Sequence, residues 1–327
     1  MTSLPFLRRA LLILWGLSLA CGLGAQTQDW PTRSIRLVVP YAAGGPADLV
    51  GRELALTLSS DLKQTVTVEN MGGAMGVPAL GAVARAEPDG HTLLLAAVGN
   101  VVLQPLLSKR GGAELVAKLK PVGPVSTAPH VLVVSSKLPI HNVAQLVAYA
   151  KAHPGQISFA SAGTGGTSHL GMEMFKALSK TEVLHVPYKG SSGARTDVLG
   201  GQVDLMFDAV TTMSEHVKAG KVKALATTGR ARSTVLPDVP TLSEAGVPGY
   251  EATIWLGLMA PKGTPKEIVD QLSSVVNQAL RQPEVRQTWA KQGAVPMIMS
   301  TAEFDKYLHD DVNKWGAVIK AANIKVD

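Results

Sequence analysis

Three times along this chain a short apolar run ends in a glycine-rich turn that opens straight into a helical segment. Residues 34–41 (SIRLVVPY) lead into Ala42-Ala43-Gly44-Gly45 and then Pro46, a favoured first residue of a helix. Residues 157–161 lead into Ala162-Gly163-Thr164-Gly165-Gly166, and residues 183–188 into Lys189-Gly190-Ser191-Ser192-Gly193. Such β-branched runs read as strands buried on both faces, as parallel strands are. After Pro46 the apolar residues Val50, Leu54, Leu58 and Leu62 recur at i+4 and form one helical stripe. Strand, turn and helix repeated in series define an α/β chain built on open sheets.

The alternation falls into two series. Strands at 34–41, 65–69 and 92–98, with helices from Pro46 and near 77–86, form the first. Strands at 131–134, 157–161, 183–188, 205–208 and 223–227, with helices at 142–153, 167–178, 194–199 and 211–219, form the second. Each series predicts a doubly wound lobe. The proline-rich stretch from Leu236 to Gly249 breaks the rhythm and reads as a return crossing, followed by a strand at 254–261 and a helical C-terminus. Two capping boxes, Thr264 with Glu267 and Ser300 with Glu303, mark helix starts there. The final helix carries Phe304, Leu308, Trp315 and Ile319 on one stripe, which needs a sheet to cover. The expected organisation is a first lobe at 26–125 and 251–327, a second lobe at 126–250, and a hinge of two crossings near 122–130 and 248–256.

Residues 1–25 read as an export leader: Arg8 and Arg9, an apolar stretch from Ala10 to Ala20, then small residues with cleavage expected after Ala25. The apolar stretch falls short of the ~20 residues that span a bilayer. Cys21, the only cysteine, lies inside the leader, and Ser18 stands where a lipidation signal prefers Leu. Cleavage therefore leaves an exported chain with no thiol nucleophile, no disulfide and no cysteine metal site. The net charge of +6 comes from 31 basic and 25 acidic residues without a basic run, and aromatics are 5%. Neither feature suits a nucleic-acid partner.

Each glycine turn sits at the carboxyl end of a predicted strand, where open α/β sheets bind ligands. Each also leads into a helix N-terminus, whose free N–H groups and positive dipole end attract an anion. Ala43, Gly44 and Gly45 in the first turn, Ser161, Gly163, Thr164 and Gly165 in the second, and Gly190 in the third are the candidate contacts, with Ser168 opening the second helix. Tyr41 and Tyr188 end their strands and offer an apolar wall with a hydroxyl tip. Lys189 supplies a counter-charge or points to water. Asp48 suits a ligand ammonium or hydroxyl, or serves the dipole of its own helix. Asp208 faces the cleft or caps the next helix. Trp255 belongs to the core or the cleft floor.

Cofactor and enzyme readings fare poorly. Gly163-x-Gly165 begins a dinucleotide fingerprint, but Ser168 occupies the third glycine position, and no cofactor is expected. There is no G-x-S-x-G elbow and no H-E-x-x-H. Ser168 and His169 are adjacent on a helix and do not face each other, so a hydrolase built on them is the weakest alternative.

At these residues the chain resembles a known family. Trp30-Pro31, then Ile35-Arg36-Leu37-Val38-Val39-Pro40-Tyr41-Ala42-Ala43-Gly44-Gly45 and Asp48, is similar to the opening of the tripartite tricarboxylate transporter receptors, the extracytoplasmic solute receptors called Bug proteins. The likeness continues through Phe159-Ala160-Ser161-Ala162-Gly163-Thr164-Gly165, Val186-Pro187-Tyr188-Lys189-Gly190, Leu205-Met206-Phe207-Asp208, Leu236-Pro237-Asp238-Val239-Pro240-Thr241-Leu242 and Glu244-Ala245-Gly246. The resemblance implies a type II periplasmic-binding-protein fold that closes on a small organic acid and presents it to membrane permease subunits. A sensor kinase is the alternative recipient. It further implies a carboxylate held largely by backbone amides, hydroxyls and bridging waters rather than by an arginine clamp. Four positions depart from the pattern: Tyr41 where Phe is commoner, Pro46 where an N–H is lost, Ala209 after Asp208 where Asn is frequent, and Val98-Gly99-Asn100 in place of small hydroxyl residues.

Overall fold

The computed structural model describes residues 30–108, 112–188, 190–321 and 324. The expected leader, with Cys21, and Lys189 lie outside the described residues. Of the unit up to Thr32 only residues 30–32 are described, and their Trp30–Pro31 peptide is cis. The remainder, Arg33–Asp327, is one compact unit.

It opens with β1 (Ile35–Val39), α1 (Pro46–Leu62), β2 (Val66–Asn70), α2 (Val77–Ala84) and β3 (Thr92–Ala97). β1 pairs in parallel with β2 on one side and β3 on the other. Ile35, Leu37, Val38 and Val39 are all buried, which is why the run shows no alternation. Val50, Leu54 and Leu58 turn the expected stripe of α1 inward. Beyond β3 the chain makes a π-helical turn at Gly99–Leu103 and two short helices, α3 (Gln104–Leu107) and α4 (Gly112–Val116), which the periodicity does not announce.

The largest departure follows. β4 (Leu119–Ser135) is a single strand of 17 residues where the sequence suggests a crossing and a short strand. Pro121, Pro124 and Pro129 disguise it, because proline cannot donate to a ladder and argues against an interior strand. The sheet accommodates the first two at register shifts between Pro121 and Gly123 and between Pro124 and Ser126.

Next come α5 (Val143–Ala152), β5 (Ser158–Ser161), α6 (Thr167–Ser179), β6 (Leu184–Pro187), α7 (Ser191–Gly200), β7 (Leu205–Ala209), α8 (Val210–Lys218) and β8 (Val222–Thr227). β9 (Thr253–Pro261), α9 (Lys266–Arg281), α10 (Pro283–Gln292), β10 (Val295–Pro296) and α11 (Thr301–Ala321) complete the chain. The strand order is β2-β1-β3-β9-β4-β7-β5-β6, with β8 and β10 also on β4. The sheet is therefore mixed: β1, β2 and β3 are mutually parallel, as are β5, β6 and β7, while β9 and β4 join the two sets antiparallel. β4 carries its residues up to Pro129 beside β9 and those from His130 onward beside β7 and β8.

Of the C-terminal helices, α9 and α11 pack against β4. Trp255 is fully buried under α11, edge-on to Phe304 at 5.7 Å, and its indole N–H donates to Asp311 Oδ2 at 2.8 Å. Trp255 is thus core. Ser300 and Glu303 form the expected capping box, Ser300 N–H to Glu303 Oε2 at 2.8 Å and Glu303 N–H to Ser300 Oγ at 3.2 Å. Thr264 does not cap: Pro265 occupies the N-cap of α9, one residue later, and the Thr264 hydroxyl is buried without a partner among the described residues. Among the described residues no helix is long and apolar enough to cross a membrane.

Candidate functional site

The ladder register places the site. β3 and β4 both run antiparallel to β9, so β1, β2 and β3 point the same way as β4, whereas β5, β6 and β7 point the opposite way. The carboxyl ends of the two parallel sets consequently face each other along β4. Ala97, the end of β3, is level through Leu256 with Ser126, and Ala209, the end of β7, is level with His130. Four residues of extended strand cover about 13 Å. All three glycine turns emerge on the rims of this gap.

On the first rim, Asp48 is a brace. Its carboxylate accepts from Gly44 N–H at 2.8 Å, Arg52 Nε at 3.0 Å and Asn70 Nδ2 at 2.9 Å, and the residue is 2% exposed. Burial alone would raise this carboxyl, but those three donors outweigh it and hold it below the usual range. Asn70 Nδ2 also donates to Tyr41 O, so the β2 end ties down the turn after β1. Ala43 and Gly44 are exposed. The first-turn N–H groups of α1 have no acceptor inside the helix, and Pro46 contributes none. Tyr41 is 37% exposed, yet its hydroxyl turns inward to Asn100 Nδ2 at 3.5 Å, and burial of that oxygen pushes its pKa up to about 12.

Two contributors to this rim were not foreseen. The turn after β2 runs through Gly73, Ala74, Met75 and Gly76 at positive φ. A Cβ on Gly76 would meet Pro40 Cβ at 2.9 Å and Asn100 Cβ at 3.0 Å, so three strand-end loops close on one another there. Asn100, 1% exposed, accepts from Ala97 N–H at 3.1 Å and faces Tyr41. The signal for the loop was available: Met71-Gly72-Gly73-Ala74-Met75-Gly76 after an apolar strand is a fourth copy of the strand–glycine turn–helix pattern.

On the opposite rim the second turn is heavily bonded from within. Ala162 N–H donates to Ser168 Oγ (3.1 Å), Gly163 N–H to Ser161 Oγ (3.2 Å), Gly165 N–H to His169 Nδ1 (3.0 Å) and Gly166 N–H to Gly163 O (3.2 Å). Thr164 is exposed at its tip, and the first turn of α6 begins beside it. Ser161 Oγ also lies 2.6 Å from His185 Nε2. His169 and His185 stack with centroids 3.9 Å apart, on Phe159. Burial pushes both imidazoles down to about 4, helped by the positive charge of Lys176, so both are neutral at pH 7. A neutral His169 that accepts at Nδ1 carries its proton on Nε2. Ser168 and His169 thus serve separate amides and form no dyad. No sequence signal pairs His169 with His185, because the stack depends on α6 and β6 lying side by side.

The third turn opens α7 at Gly190, whose φ of 139° suits glycine. Tyr188 N–H donates to Ser161 O at 3.0 Å, which locks this turn to the second. The Tyr188 hydroxyl donates to Asp197 Oδ2 at 2.5 Å; that bond, with burial, pushes its pKa up to about 12. Asp208, 3% exposed, does not cap α8; Arg195 Nε donates to its Oδ2 at 2.6 Å and Ala209 N–H to its Oδ1 at 2.9 Å. Burial raises this carboxyl, against the opposing pull of Arg195, Ala209 N–H and Thr212.

Asp48, Ser161, Ser168 and Asp208 are each at most 3% exposed, with their polar atoms hydrogen-bonded inside the protein. They shape the loops. At the floor, His130 is 5% exposed; its N–H donates to Thr228 Oγ1 at 2.8 Å and its carbonyl accepts from Thr228 N–H at 3.0 Å. Its ring Nε2 lies 3.5 Å from Thr167 Oγ1, and burial pushes its pKa down to about 4. Among the described residues no group of three or more His, Cys, Asp or Glu is placed to hold a metal.

A mixed sheet whose two parallel sets point their carboxyl ends at each other, with glycine turns and helix N-termini on both rims, defines an α/β fold of the periplasmic-binding-protein kind. The comparisons with known proteins agree and go further. The family model for the tripartite tricarboxylate transporter family receptor (TctC) matches residues 50–324, and the chain belongs to that family. It is 36% identical over 303 residues to Protein BugT of Bordetella pertussis, covering 91% of each chain. A Rhodopseudomonas palustris protein solved with adipate superposes with a TM-score of 0.84 at 34% identity, covering 91% of this chain and 99% of that one. MatC from the same species, solved with bound malate, gives 0.78 at 32% identity, covering 89% and 100%.

Proposed function

We propose that this chain is a periplasmic solute-binding receptor that captures a small organic carboxylate between the facing strand ends and presents it to permease subunits of a tripartite tricarboxylate-type transporter. The observation that carries the reading is the opposition of helix N-termini: α1 starts on one rim of the gap, and α6 and α7 on the other. An anion between them is met by first-turn N–H groups from both sides and by the positive ends of the helix dipoles. Family membership supports it, as do two relatives of similar fold, one solved with adipate and one with malate. In this reading residues 26–125 and 251–327 form one lobe and 126–250 the other, and β4 and the segment before β9 are the hinge. The leader is removed near Ala25 on export.

Thermal-shift screening of the exported chain against organic acids, sugars and cations tests this. A true ligand at 100-fold its Kd stabilises by about 2.7 kcal/mol. A response confined to sugars or cations, with silence from every carboxylate, overturns the proposal.

A further inference from the structure

Arg195 stands in the second turn of α7, the helix that begins at the carboxyl end of β6. Helical side chains lean toward the helix N-terminus, so this one leans toward the gap. Its contact there is Asp208, the penultimate residue of β7, level with Val131 and next to the Ala209–His130 pair that bounds the gap. The contact uses Nε alone, at 2.6 Å. A guanidinium carries five N–H donors in a rigid fork. Nη1 and Nη2 therefore hold four N–H groups with no partner among the described residues, on a side chain only 20% exposed. Both oxygens of Asp208 are engaged, by Arg195 with Thr212 and by Ala209 N–H, so the carboxylate fixes the plane of the fork without closing its outer edge.

We infer that the outer edge of Arg195 is an anion position on the second rim, which receives the distal carboxylate of a dicarboxylate ligand. The inference rests on the carboxylate-receptor reading and names the ligand class within it. A partly buried, pre-oriented guanidinium whose two Nη groups have no partner among the described residues matches a carboxylate bidentately. Asp208 acts as a positioning residue: removed alone, it would leave Arg195 without the contact that orients it.

Isothermal titration with matched acid pairs tests this: succinate against butanoate, glutarate against pentanoate, adipate against hexanoate. The full exported chain should prefer at least one diacid over its monoacid by about 10- to 100-fold, the range of a charged hydrogen-bonded contact. In Arg195→Gln/Asp208→Asn that ratio should collapse to within about threefold. The double variant avoids leaving a buried carboxylate unpaired, and a melting curve confirms that it folds. Equal affinity for mono- and diacids in the parent chain overturns the inference, as does a diacid preference that survives in the double variant. Either result leaves the receptor reading intact, whereas absence of any carboxylate binding in the parent chain removes both.

Discussion

Acidification should weaken the fold through His130. Burial takes its pKa from the ordinary 6.5 down to about 4, so the unfolded chain binds this proton more readily than the folded one. Stability from this group is complete above pH 6.5 and drains away as the pH falls toward 4. Linkage between those two values gives a loss of about 2 kcal/mol on going from pH 7.5 to 5, with a limiting slope of about 1.4 kcal/mol per pH unit. The perturbation is His130→Phe, which keeps a ring beside Phe207, 6.4 Å away, and removes the titration. Urea unfolding, followed by fluorescence of the buried Trp255, Trp289 and Trp315, would be measured for both proteins at pH 7.5, 6.5, 5.5 and 5.0. The comparison isolates one group, because His169, His185 and the raised carboxyl of Asp208 contribute equally to parent and variant. Asp48 and Asp89, held below the usual carboxylate range, titrate below this window. Whatever absolute stability the variant has, its pH profile should be flatter by about 2 kcal/mol. Parallel profiles would refute the reasoning, since they would mean that the folded imidazole protonates as easily as a free one.

Three stability measurements probe the packing that holds the rims in place. Gly257→Ala puts a Cβ 2.3 Å from Phe304 Cζ and should cost about 1–3 kcal/mol by overpacking, partly recovered by a second change, Phe304→Leu, in thermal melts. Asp311→Ala strands the buried Trp255 indole N–H and should lose about 1–3 kcal/mol in urea titration, with Asp311→Asn losing less. Ser300→Ala removes half of the capping box at the start of α11 and should lower stability by about 1 kcal/mol, whereas Thr264→Ala, whose hydroxyl caps nothing, should not destabilise by loss of a cap.

What the sequence revealed, and what it hid, divides along a physical line. Strand-to-helix alternation was legible because each parallel strand is apolar on both faces and each glycine turn is local. β4 was not, because Pro121 and Pro124 sit at register shifts, and whether such a shift forms is decided by β9 across the ladder. Thr264-Pro265 looked like the start of a capping box; the cap fell one residue later, on Pro265 itself, a difference that depends on backbone angles. The glycines of the second turn show the same limit in the site itself. Gly163 and Gly165 adopt φ of 142° and 78°, so glycine there is a conformational requirement. Most of the turn's amides, however, are taken by Ser161, Ser168, His169 and Gly163 O. A glycine-rich turn therefore announces where the chain can approach a ligand closely, but not which N–H groups remain to meet it. Which N–H groups stay unengaged is set by side chains behind the loop, Ser168 and His169 among them, and no local pattern in the sequence marks that.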